Sequence, residues 1–279
     1  MALQTVNTQD SLRSGQGFTA VIGDCKVSAT YTKKFQQRHR HVHVMLVIDA
    51  SGSMAGAPIE AVMQSVSQIA GWLKHPKDSL SMWTFNEKIL HKLYPRLVKK
   101  VDLNRLHRDV KEHIGGLTRL NDALYTVMKS WQPKEVAGAA SFLVFLTDGG
   151  ENNSKYKKHQ VQKILADSAK QFDKLIFLTA GSSEGEIAYL RELLQNKVNQ
   201  NKYVIRSAGS NGSHDIRKLF EFAQQVIEEV VVKYYYKGAE VGSSTFQGRG
   251  GGRQKDLARA ALNDINANMK RMNISLTFN

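Results

Sequence analysis

Val42-His-Val-Met-Leu-Val-Ile48, followed at once by Asp49-Ala-Ser51-Gly-Ser53, is a near-continuous apolar run ending on one carboxylate and two hydroxyls. Such a run reads as a strand covered on both faces, the arrangement of a parallel sheet between layers of helices. A loop leaving the carboxyl end of that strand can turn alternate side chains toward one point outside the sheet, and hard divalent cations take oxygen ligands of this kind. Alone, the segment reads as readily as a strand-to-helix turn whose hydroxyls cap the helix. Two downstream segments favour the cation. Gly115-Gly-Leu-Thr118 places a third hydroxyl in a glycine-loosened loop before a helix, and Phe142-Leu-Val-Phe-Leu-Thr-Asp148-Gly-Gly150 places a second carboxylate at a second strand end.

Between these segments, apolar periodicity predicts alternating helices and strands. Pro58 suits the first turn of a helix whose apolar positions run from Ile59 to Leu73. Strands are predicted over 80–85 and 89–97, the second an edge strand because Pro95 interrupts it. Helices follow at 103–114 and 120–131, a buried strand at 141–147, a helix at 157–170, a strand at 174–179, a helix from 187 to 194 and a strand at 203–206. The last element is a long amphipathic helix from 215 to about 235. Strand–helix alternation implies right-handed crossovers and a mostly parallel sheet, an α/β fold with ligands at the carboxyl ends of its strands.

The flanks differ in character. Residues 1–17 are polar, and 18–31 alternate as a short hairpin turning at Gly23-Asp24. Residues 238–252, with Gly248-Arg-Gly-Gly-Gly-Arg253, read by composition as a flexible linker, with RNA or phosphate contact as the alternative. A short apolar-striped helix over 257–269 would dock back or meet another chain. The implied organisation is an N-terminal extension at 1–37, a main domain at 38–236 and a linker with tail at 237–279. His39, His41 and His43 alternate and share one face of an extended segment, a spacing open to metal; the simpler reading is the solvated start of a strand.

With 42% hydrophobic and 23% charged residues over 279 positions, the chain is ordinary globular material with ample core. No apolar run spans a bilayer and the first residues lack a basic-then-apolar leader, so a cytoplasmic protein is expected. The lone Cys25 fits a reducing compartment. The 39 Lys and Arg against 25 Asp and Glu give a formal charge of +14, which attracts acidic proteins, nucleic acid and anionic lipid alike.

At its three loops the sequence resembles the von Willebrand factor type A domain family, over residues 40–233. In that family a D-x-S-x-S loop, a threonine on a second loop and an aspartate in a T-D-G turn surround one cation. The resemblance implies Asp49, Ser51, Ser53, Thr118 and Asp148 as ligands of Mg²⁺, or Mn²⁺ or Ca²⁺. It also implies a Rossmann-like doubly wound sheet, mostly parallel with one antiparallel edge strand and helices on both faces. Leu117 stands where the family often has glycine, and the doubled glycine after Asp148 moves Glu151 one place along.

Neutral hydroxyls around the ion would leave it electrophilic, ready to accept a carboxylate from an acidic protein partner. Met54, Arg119, Glu151, Lys155, Lys157 and Lys158 surround the motif loops in sequence and are candidate partner contacts. No phosphate loop, nucleophile elbow or zinc-protease pair occurs, so a binding module in a multiprotein assembly is expected rather than an enzyme. The alternatives are a ribonucleoprotein component using the basic surface and tail, and a subunit that assembles with copies of itself.

Overall fold

The computed structural model describes residues 41–209 and 212–227 in full and gives the backbone of four further strands. Two compact units result, Met1–Arg38 with Gln225–Asn279, and His39–Gln224. In chain order the elements begin with β1 (Gly17–Ile22) and β2 (Cys25–Lys33), then β3 (His41–Asp49), α1 (Ala57–Trp72), β4 (Ser79–Phe85) and β5 (Ile89–Leu97). Next come α2 (Leu103–Lys111), α3 (Leu120–Ser130), β6 (Ala139–Thr147), α4 (Lys158–Ser168), β7 (Lys174–Ala180) and α5 (Glu184–Leu194). β8 (Tyr203–Ala208), α6 (Ser213–Ile227), β9 (Val230–Tyr236) and β10 (Ala239–Phe246) complete the set.

The larger unit is a six-stranded sheet in the order β5-β4-β3-β6-β7-β8. Only β5 runs antiparallel, against β4. The chain starts at β3, winds outward to β5, then returns to β6 on the other side, so the β3/β6 boundary is the topological switch point. Alternation along the strands sorts their side chains between two faces. Met45, Val47, Phe85, Leu143, Phe145, Leu175 and Phe177 build one core with the apolar stripes of α3, α4 and α5. Phe85 stacks on Phe145 and Phe177 meets Phe145 at a tilt, with centroids 5.0 and 5.7 Å apart. Residues of the opposite face, such as Val44, Leu46, Ile48, Leu80 and Met82, are fully buried too. This double burial explains the near-continuous apolar strands.

His43 corrects the solvated reading of the histidine segment. It is fully buried, its ring nitrogens lie 2.8 Å from Ser79 Oγ and 3.0 Å from Ser81 Oγ, and it stacks on Trp131 at 5.4 Å. Burial pushes its pKa down to about 3, so it is neutral. His39 lies outside the described residues, and among those residues no group of three His, Cys, Asp or Glu could hold an ion.

In the smaller unit the strands run antiparallel in the order β1-β2-β9-β10. The expected hairpin is present, with Ile22 opposite Cys25. Two expectations are corrected here. The last helix stops at Ile227, and 230–236, expected to continue it within a domain ending at 236, is strand β9 paired with β2. The run Val-Val-Val-Lys-Tyr-Tyr-Tyr is β-branched and aromatic, and strand pairing overrides its amphipathic spacing. Residues 239–246, expected as linker, form β10 against β9, with an irregularity between Glu240 and Gly242. The Gly248–Arg253 segment, the helix expected over 257–269 and residues 1–16 lie outside the described residues. Among the described residues no helix is long and apolar enough to cross a membrane.

Candidate metal centre at the switch point

Asp49 is the last residue of β3 and has no exposed surface. Its Oδ1 accepts the Ser51 N–H at 2.9 Å and its Oδ2 accepts the Thr147 hydroxyl at 2.7 Å. One carboxylate thus shapes the first loop and ties it to the end of β6. The chain then makes a short 3₁₀ turn over Gly52–Met54 before α1. Ser51 is buried and Ser53 exposed, and their hydroxyl oxygens lie 3.1 Å apart. The Ser51 hydroxyl also points at Asp148 Oδ1, 3.5 Å away.

The second loop is drawn against the first by its backbone. Gly115 N–H donates to Ala50 O at 2.9 Å, and Gly52 N–H donates to Gly116 O at 3.2 Å. Gly116 has a φ of +72°, the left-handed region that favours glycine. Thr118 is then fixed from the third loop: its N–H donates to Asn152 Oδ1 at 3.1 Å, and Asn152 N–H donates back to Thr118 O at 3.4 Å. A Cβ on Gly149 would lie 3.7 Å from Thr118 Oγ1, which sets that hydroxyl beside the Asp148–Gly149 turn.

Burial pushes Asp49 up to about 6; hydrogen bonds from Ser51 and Thr147 offset part of that rise and the Asp148 charge adds to it. Asp148 Oδ2 is buried without a hydrogen-bond partner, the arrangement buried carboxylates avoid unless something else satisfies them. Two carboxylates among three hydroxyls, with one oxygen left over, form a donor set that suits a hard divalent cation.

Of the candidate partner contacts, several are committed elsewhere. Met54 is fully buried, so its contact with a partner is corrected: it is a core residue closing the first loop. Glu151 is half-buried and engaged within the unit. Its Oε2 accepts Asn121 N–H at 2.7 Å and Ser154 hydroxyl at 2.6 Å, while Oε1 accepts Ser154 N–H at 2.6 Å and Asn153 N–H at 3.1 Å. It caps α3, whose N-cap Arg119 makes no side-chain cap of its own. Lys158 pairs with Glu192 and lies 5.6 Å from the Tyr189 ring centroid. Arg119 is partly buried, and Lys155 and Lys157 are exposed.

Motif reading missed the network behind Glu151. Asp122 Oδ1 accepts the N–H groups of Lys155 and Tyr156 at 2.8 and 2.9 Å, and Ser154 Oγ accepts Asp122 N–H at 3.1 Å. Residues 151–156 are thereby zipped onto the first turn of α3. The doubled glycine also finds its reason: a Cβ at Gly150 would stand 2.6 Å from Cγ of Glu186, the capping-box residue of α5.

The profile of the von Willebrand factor type A domain matches residues 43–218. No curated protein gives a significant match. Among solved structures, the PilB minor pilin from Streptococcus sanguinis is 14% identical with a TM-score of 0.53, over 72% of this chain and 64% of that one. A von Willebrand factor type A protein from Catenulispora acidiphila is 13% identical with a TM-score of 0.52, over 70% of this chain and 44% of that one. Proximal thread matrix protein 1 from the mussel byssus is 13% identical with a TM-score of 0.50, over 68% of this chain and 49% of its own. The chain thus spans about half the length of the mussel protein. At such identities the likeness is one of fold. With 43–218 matched and the sheet order in place, this chain belongs to the von Willebrand factor type A domain family.

Proposed function

We propose that the chain is a divalent-cation-dependent protein-binding module. Domains of this family are usually interaction modules rather than enzymes. Asp49, Ser51, Ser53, Thr118 and Asp148 would hold Mg²⁺, or Mn²⁺ or Ca²⁺, and a carboxylate from an acidic partner would complete the ion's shell. The observation that carries this reading is the partnerless, buried Asp148 Oδ2 beside a desolvated Asp49 and the serine hydroxyls. The ion supplies a Lewis-acidic docking point. The residues around it orient the hydroxyls and keep Asp49 turned inward through Thr147.

Ser53 is exposed at the rim, where an incoming side chain arrives. The formal charge of +14 and the exposed Lys155 and Lys157 favour encounter with an acidic surface. The lone Cys25 suits an intracellular, reducing setting for that partner. Titration calorimetry with Mg²⁺ and Mn²⁺ tests the reading. Native protein binds one equivalent, whereas Asp49→Ala and Ser51→Ala lose binding and keep their circular dichroism. Unchanged cation binding in both variants overturns it.

A further inference from the structure

The edge of the sheet farthest along the first winding carries features that the cation site does not use. Trp83 on β4 stacks on His91 of β5 with centroids 3.9 Å apart and planes within 10°. His91 in turn meets the Tyr94 ring at 3.9 Å, tilted by 43°. In a regular strand, residues three apart face opposite sides. Here the register runs Trp83↔His91, Met82↔Leu93 and Leu80↔Arg96, so β5 carries extra residues against β4. Such bulges re-aim side chains, and this one brings Tyr94 into line with His91 and Trp83. The stack is open at one end: Tyr94 is 68% exposed, the most exposed of the three large hydrophobic side chains that face solvent among the described residues.

The same edge is strongly basic. Residues 87–100 contain five Lys or Arg, one Glu and no Asp. Lys88, Arg96, Lys99 and Lys100 are exposed and form no salt bridge among the described residues. The positive field reaches inward: His113 is pushed down to about 4, by burial first and then by Lys92 and Lys88. An added β-strand is a poor occupant, since the bulges and Pro95, which has no N–H, break the hydrogen-bonding edge. An open aromatic stack among unpaired cations matches bases joined by phosphates, where π-faces supply stacking and the backbone supplies charge.

We infer that the β4–β5 edge binds single-stranded nucleic acid, with a base stacked on Tyr94 at the end of the Trp83–His91 ladder and phosphates on Lys88, Arg96, Lys99 and Lys100. This site is separate from the cation centre and works with chelator present.

Fluorescence anisotropy on the full chain, in EDTA, tests it with labelled oligo(U) and oligo(dT) of about twenty nucleotides and a duplex of equal length. The single strands bind more tightly than the duplex, and preference for either sugar is compatible with the site. Tyr94→Ala weakens single-strand binding by about fivefold or more, the range of one lost base stack, while Tyr94→Phe stays within about twofold. Lys99→Ala with Lys100→Ala weakens single strand and duplex alike and flattens the salt dependence by about one unit of slope per lost phosphate contact. Tyr94 is exposed, so its variants fold, and thermal melting verifies this. Equal affinity for duplex and single strand, unchanged binding by Tyr94→Ala, or no binding at about 50 mM salt overturns the inference. So does polyglutamate that displaces oligo(U) at equal charge concentration, which would assign the edge to an acidic protein.

Discussion

Thr147 orients the centre without belonging to its proposed donor set: its hydroxyl holds Asp49 Oδ2 at 2.7 Å, on the side turned away from Ser51. Thr147→Val keeps the shape and removes that bond. Cation affinity is expected to fall about tenfold, as for other residues that orient metal ligands, and stability by about 1–3 kcal/mol because a buried Asp49 oxygen loses its donor; titration and scanning calorimetry read the two. Glu151 makes the opposite case. Glu151→Ala strips the N-terminus of α3 and is expected to cost about 1–3 kcal/mol in urea unfolding. His43 gives a pH dependence whose sign is fixed by burial. Its folded pKa, about 3, lies below the ordinary 6.5, so below pH 6.5 the unfolded chain binds a proton that the folded chain refuses. Stability therefore falls as pH drops from 6.5 toward 3, by about 1.4 kcal/mol per pH unit for this residue. His113, pushed down to about 4, acts in the same direction. Unfolding of His43→Gln across that window should show a shallower slope by about one proton.

Among the elements, α5 meets the third loop through Glu186, and the two glycines after Asp148 separate steric need from coincidence. Neither has a positive φ. A methyl at Gly149 meets Thr118 at an ordinary 3.7 Å, but one at Gly150 drives into Glu186, whose Oε2 already accepts Ser183 N–H at 2.6 Å. Gly150→Ala is therefore expected to break the capping box and cost about 1 kcal/mol of stability, with Gly149→Ala near neutral by thermal melting. The core elements of the larger unit were legible because their signals are local: apolar runs for β3 and β6, and periods of 3.6 for α1 and α3. β9 and β10 were not. Val230–Tyr236 continues the spacing of α6, and the Gly-Ser content of Ala239–Phe246 resembles a linker. Their strand character comes from pairing with each other and with β2, about two hundred residues earlier, which no local pattern reports. Likewise, the motif residues were readable from type and order. The capping role of Glu151 depends on α3, some thirty residues away, and Met54 is buried by packing that an exposed-loop reading does not foresee.

At the scale of the whole molecule, the chain places its functional candidates on one unit, at separate positions of one sheet. The switch point between β3 and β6 gathers carboxylates and hydroxyls, and the β5 edge gathers cations and aromatic rings. The chain carries a formal charge of +14, so encounter with an acidic partner should slow as salt rises. Three loops are proposed to converge on one ion. Anomalous diffraction from crystals grown with Mn²⁺ tests it most directly. A single strong peak is expected within bonding distance of the Ser51 and Ser53 hydroxyls, with Thr118 and Asp148 around it. A peak elsewhere, or none at saturating Mn²⁺, would contradict it.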